Sequence, residues 1–126
     1  MILVFGGAYN GKLNFVKEKY NLNEEDLFFC KDEKLKLSTK AIVGLHIFIK
    51  SCILKGINPL KFIEDNLNML DGKIIVCDEI GSGIVPLKKE DRIWREETGQ
   101  ILQFLSKRSS KVSRIFFGME EVLKYE

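Results

Sequence analysis

Short apolar runs alternate with amphipathic stretches along this chain, and the alternation predicts strands interleaved with helices. Ile2-Leu3-Val4-Phe5 is a strand-like run. Lys12 to Tyr20 places Phe15, Val16 and Tyr20 on one side of a short helix that Asn21 and Asn23 end. Leu27-Phe28-Phe29-Cys30, bounded by charges, suits a short buried strand, and the charged stretch 31–36 suits a surface loop. Ser38 or Thr39 is expected to cap a helix running to about Lys55, with Gly56 where a C-terminal glycine belongs. Its apolar residues from Ala41 to Leu54 lie nearly all round, so it must be covered by the sheet, by other helices or by another subunit. Asn58-Pro59 opens a further helix through Phe62, Ile63, Asn66, Leu67 and Leu70, closed by Asp71-Gly72.

Ile74 to Cys77 reads as a buried strand. From about Lys88 to Ser106 the spacing of Trp94, Thr98, Ile101, Leu102 and Leu105 predicts a helix. Gly99 within it costs about 1 kcal/mol relative to alanine and is expected to mark a close packing contact. Val112 to Phe117 is a last predicted strand, Gly118 a turn, and Glu120 to Tyr125 a terminal helix or tail. At 126 residues the chain makes one domain. Strands alternating with helices imply an α/β domain, a mainly parallel sheet with helices on both faces.

The chemistry is concentrated where the first strand ends. Gly6-Gly7-Ala8-Tyr9-Asn10-Gly11-Lys12-Leu13 carries both glycines and the lysine of the phosphate-binding loop G-x-x-x-x-G-K-[ST]. In that motif the glycines let backbone N–H groups turn inward as an anion nest, and the following helix adds its positive N-terminal end. Lys12 would reach the β- and γ-phosphates, whereas Leu13 has no hydroxyl for Mg²⁺. The strand ending in Asp78-Glu79 delivers two carboxylates to the edge where open α/β sheets bind ligands. Asp78 is the candidate for Mg²⁺, and Glu79 for a base or its supporting partner.

A net charge of +2 without a basic block does not favour nucleic acid as a partner. The first residues lack the pattern of a secretory signal, and 41–54 is too short and too interrupted to span a bilayer, so a cytoplasmic location is expected. Cys30, Cys52 and Cys77 lie in apolar surroundings without metal-ligand spacing and read as reduced core residues. His46, the one histidine, has no Cys, Asp or Glu at ligand spacing and reads as a hydrogen-bonded or partly exposed helix residue.

The run from Asp78 to Pro86, followed by Arg92, Trp94-Arg95-Glu96, Gly99 and Gln103, resembles the bifunctional adenosylcobinamide kinase/adenosylcobinamide-phosphate guanylyltransferase family. That family reads approximately N-E-V-G-x-G-I-V-P, five residues, then R-x-F-R-D-x-x-G-x-x-N-Q. Its opening, I-L-V-T-G-G-A-R-S-G-K-S, is similar to the stretch from Met1 to Leu13. Leu13 stands where the family has Ser or Thr, Asp78 where it has Asn, and Leu102 where it has the Asn of N-Q. The Arg- and His-rich segment that supplies the guanylylated histidine has no counterpart, so the guanylyltransferase step is expected to be absent.

The resemblance implies a three-layer P-loop NTPase-like domain, often a homo-oligomer, that transfers the γ-phosphoryl group of ATP or GTP to a cobinamide-type hydroxyl. On that reading Gly6 to Lys12 cradle the phosphates, Asp78 holds Mg²⁺ with water, and Glu79 orients or deprotonates the acceptor. The turn Gly81–Pro86, with Gly83 at its centre, shapes the acceptor side, and Arg92 and Arg95 serve phosphate or subunit contacts. The alternative is a shortened, non-catalytic nucleotide-binding or assembly protein on the same fold.

Overall fold

The structure, a computed structural model, describes residues 1–80 and 88–126. Its elements run β1 (Ile2–Gly6), α1 (Lys12–Lys19), β2 (Leu27–Phe29), β3 (Ala41–Val43), α2 (Leu45–Leu54), α3 (Pro59–Asp65), α4 (Leu67–Leu70), β4 (Ile74–Asp78), α5 (Lys89–Arg108), β5 (Lys111–Phe116) and β6 (Met119–Tyr125). They build a six-stranded sheet in the order β2-β3-β4-β1-β5-β6, parallel except for the antiparallel β6. Parallel strands need helical crossovers, and these cover both faces. Alternation along β1 divides the core: Val4 joins Val16, Leu22, Val76 and Ile115 on the α1 side. Leu3 joins Phe48, Ile49, Ile63, Ile101 and Leu105 on the side of α2, α3 and α5. Among the described residues no helix is long and apolar enough to cross a membrane.

Three elements depart from the sequence expectations. The predicted helix from Ser38 or Thr39 to Lys55 begins instead as strand β3, and Thr39 Oγ1 donates to the Ala41 carbonyl. Ala41-Ile42-Val43 fills a place between two parallel strands, where apolar residues are wanted on both faces. Gly44 then takes φ 84° to turn the chain into α2. The face of α2 that carries Leu45, Phe48, Ile49 and Cys52 is covered by β4, α3 and α5 of the same chain. The expected helix from Pro59 to Leu70 is interrupted at Asn66, whose Nδ2 donates to the Phe62 carbonyl.

Glu120 to Tyr125 is a strand, not a helix or tail, because Phe117 and Gly118 adopt φ 49° and 73° and form a two-residue hairpin turn. A Cβ at Gly99 would meet nothing within 4 Å among the described residues, so this glycine marks no close contact. Cys30, Cys52 and Cys77 are buried and free, as expected. Burial pushes the Cys30 thiol up to about 12 and that of Cys52 to about 11.

Glu120 fastens the hairpin to the body. Its carboxylate accepts from Ser113 Oγ at 2.6 Å and lies 3.1 Å from both Lys19 Nζ and Lys111 Nζ. Burial raises its pKa, but the hydrogen bonds from Ser113, Lys111 and Lys19 more than offset this and hold it at about 2. A depressed carboxylate stabilises the fold above its ordinary value near 4.5, and that contribution disappears as pH falls towards 2. Glu120→Gln should therefore cost about 1–3 kcal/mol at neutral pH, measured by urea melts. The difference from the unmutated protein should shrink steadily below about pH 4.5.

Candidate functional site

The site lies at the carboxyl edge of the sheet, where β1, β3 and β4 end side by side. Register pairs Gly6 with Asp78 and Val43 with Val76, so the loop after β1 faces the carboxylates after β4. Gly6 is fixed by packing. A Cβ there would press into the Ile115 carbonyl oxygen on β5 closer than real Cβ contacts allow. At the far end of the loop Gly11 takes φ 82° and starts α1. The Gly118 amide, from the hairpin turn, donates to the Asn10 carbonyl at 2.8 Å and props the loop from outside. Tyr9, at φ 62°, stands fully exposed on the rim.

The first intrahelical bond of α1 runs from the Phe15 amide to Gly11, so the amides of Lys12, Leu13 and Asn14 have no acceptor earlier in the helix. No acidic residue occupies the first turn. Together with the helix dipole, these amides make the mouth of the loop favourable to an anion.

Lys12 closes the floor of the site. Its side chain is 8% exposed, and its ammonium donates to the Gly7 carbonyl at 2.7 Å and pairs with Asp78 Oδ1 at 2.7 Å. The other Asp78 oxygen lies 3.4 Å from His46 Nε2. The Asp78 backbone amide donates to His46 Nδ1 at 3.0 Å, which leaves the proton of the neutral imidazole on Nε2, facing the carboxylate. Burial lowers the His46 pKa against the upward pull of Asp78 and keeps the ring neutral near pH 7. Trp94 Nε1 donates to the His46 carbonyl at 2.7 Å and anchors this end of α2 to α5. Gly11, Lys12, Leu13, Gly44, His46 and Asp78 are among the residues around a cleft of about 310 Å³, the lower end of ligand-site sizes.

Other predicted site residues fall elsewhere. Glu79 does not line the cleft; its carboxylate accepts from Arg114 on β5 at 3.1 Å, and its amide donates to the Gly6 carbonyl. Arg92 is exposed and Arg95 half-buried on α5, and neither is among the cleft's described lining residues. Gly81, Gly83 and Pro86 lie outside the described residues. The expected Mg²⁺ does not suit the donors present. Mg²⁺ takes six oxygens in near-ideal octahedral geometry, most of them from water and phosphate with one or two from protein side chains. Leu13 offers hydrocarbon and packs on the α1 side of the core, while both Asp78 oxygens face nitrogen donors. Among the described residues, no three His, Cys, Asp or Glu side chains gather to hold a metal.

Two participants escaped the sequence reading. His46 is hydrogen-bonded, as expected, but in the cleft, three residues beyond the end of a strand taken for helix. Reading Ala41-Ile42-Val43-Gly44 as a buried strand and its turn would have put His46 at the carboxyl edge. Nothing in the sequence pattern pointed to Arg114, because its partner becomes a neighbour only through the β1–β5 pairing.

Fold and site define an α/β domain whose glycine loop and buried lysine close on a carboxylate from the adjacent strand. Compared with known proteins, the chain matches no protein-family model and no curated protein.

Because Gly6 abuts Ile115, Gly6→Ala should distort both the loop and the β1–β5 pairing. We expect a loss of about 1–3 kcal/mol in chemical denaturation, the scale of overpacking. Gly99→Ala, in open space on a helix, should instead gain up to about 1 kcal/mol.

Proposed function

We propose that this chain is a P-loop-like nucleotide-binding protein in which the loop Gly6 to Lys12 takes the phosphate chain of ATP or GTP. The observation that carries the reading is the buried Lys12 ammonium, held between the Gly7 carbonyl and Asp78 beneath a glycine loop that opens a helix. A buried lysine at the start of a helix whose first amides have no acceptor earlier in the helix fits an anion better than it fits solvent exposure. The phosphates would lie over the amides of residues 11–14 with Lys12 turned onto them. Two features favour binding without catalysis: Leu13 in place of a hydroxyl, and Glu79 drawn away to Arg114.

Phosphoryl transfer to a cobinamide-type hydroxyl is the second reading. What favours it is the resemblance of residues 1–13, 78–86 and 92–103 to the adenosylcobinamide kinase family, and it requires Glu79 to leave Arg114 for the acceptor.

Calorimetric titration with ATP and GTP, with and without Mg²⁺, tests the first reading. Lys12→Ala should weaken binding at least tenfold, since a hydrogen bond to a charged group is worth about 1.5–3 kcal/mol. Unchanged affinity in a folded Lys12→Ala protein would sink the assignment. Leu13→Ser supplies the missing hydroxyl and should make affinity rise with Mg²⁺. For the second reading, turnover of cobinamide with ATP or GTP by the unmutated protein is the deciding assay.

A further inference from the structure

Resting on the phosphate-loop reading above, we propose that the site takes a nucleoside phosphate free of divalent metal. Asp78 is its internal counter-ion, displaced from Lys12 and held by His46 when phosphate enters. Lys12 has three N–H donors, and the structure commits one to the Gly7 carbonyl and one to Asp78 Oδ1, both at 2.7 Å. Among the described residues the third is open to an arriving phosphate oxygen, which would then share the ammonium with the Asp78 carboxylate. Two anions beside one buried ammonium repel each other strongly, so phosphate and Asp78 exclude one another from Lys12.

Released without a partner, a carboxylate that is 22% exposed would be costly. The structure supplies one. His46 Nε2 already stands 3.4 Å from Asp78 Oδ2, and the Asp78 amide on Nδ1 fixes the proton on that nitrogen. A small side-chain rotation converts this approach into a hydrogen bond. His46 is held for the task by its carbonyl bond to Trp94 and by its 13% side-chain exposure.

The same geometry separates this role from that of a metal ligand. A metal at Asp78 would compete with His46 for the released carboxylate and would find hydrocarbon where Leu13 stands. A metal ligand helps nucleotide bind; a counter-ion opposes it. The two roles give opposite signs when Asp78 is neutralised.

The test titrates ATP into the unmutated protein, Asp78→Asn, His46→Ala, Lys12→Ala and the Asp78→Asn/Lys12→Ala pair, each in EDTA and in Mg²⁺, with thermal melts alongside. We expect the unmutated protein to bind more tightly in EDTA than in Mg²⁺, which complexes the ATP and depletes its metal-free form. In Mg²⁺ as well as in EDTA, Asp78→Asn should bind about tenfold tighter than the unmutated protein, equivalent to about 1.4 kcal/mol, whereas loss of a metal ligand would weaken binding in Mg²⁺. That gain should vanish in the Lys12→Ala background, whereas a diffuse effect of charge would persist there. His46→Ala, which removes the second partner of Asp78, should bind more weakly than the unmutated protein. Weaker binding by Asp78→Asn, or a tenfold rise in unmutated affinity with Mg²⁺, would overturn the proposal and leave the phosphate loop standing. Should Asp78→Asn fail to fold, the comparison of EDTA with Mg²⁺ in the unmutated protein decides. Absence of ATP binding by both the unmutated protein and Asp78→Asn would bring down the phosphate-loop reading and this proposal together.

Discussion

The ion pair between Lys12 and Asp78 ties together the two halves of this fold. Lys12 begins the helix after β1 and Asp78 ends β4, more than sixty residues later in the chain. They meet because β1 and β4 are neighbours with Gly6 opposite Asp78. That register depends on a core that alternates across β1, and the loop depends on a glycine that can lie against the Ile115 carbonyl. A charge pair so largely removed from water is costly to form and more costly to break on one side. Each charge also has a second partner, the Gly7 carbonyl for Lys12 and His46 for Asp78.

The central strands were readable because each has an unmistakable local signal. Ile2 to Phe5 runs into a glycine loop, and Ile74 to Cys77 is apolar throughout and stops at two acids. β3 has no such border. Ala41 to Val43 continues into an apolar helix with only Gly44 between them, and a strand buried on both faces lacks the alternation that would distinguish it. Misplacing that strand hid His46, so one error of periodicity concealed a residue of the site. β6 was missed for the opposite reason. It is an exposed edge strand defined by its hairpin turn, and Phe117 is an unusual residue for a positive φ.

The site residues divide in the same way. Lys12 and Asp78 come together as their positions at strand ends imply. Glu79 follows Asp78 directly, yet extended backbone sends adjacent side chains to opposite sides, and Glu79 turns to Arg114 instead of the cleft. The pair of acids that resembled a catalytic unit in sequence thus serves two separate contacts. Among the described residues, what remains in the cleft is one ammonium, one carboxylate, one neutral imidazole and a row of helix-start amides, and the proposed phosphate binding rests on that set.

The central claim is that the loop from Gly6 to Lys12 is a phosphate cradle. The most direct measurement is an amide NMR titration of the ¹⁵N-labelled protein with ATP. The account predicts saturable shifts concentrated in residues 7–14 and at Asp78 and His46. Saturation with those amides unmoved, or shifts gathered on a different face, would contradict it.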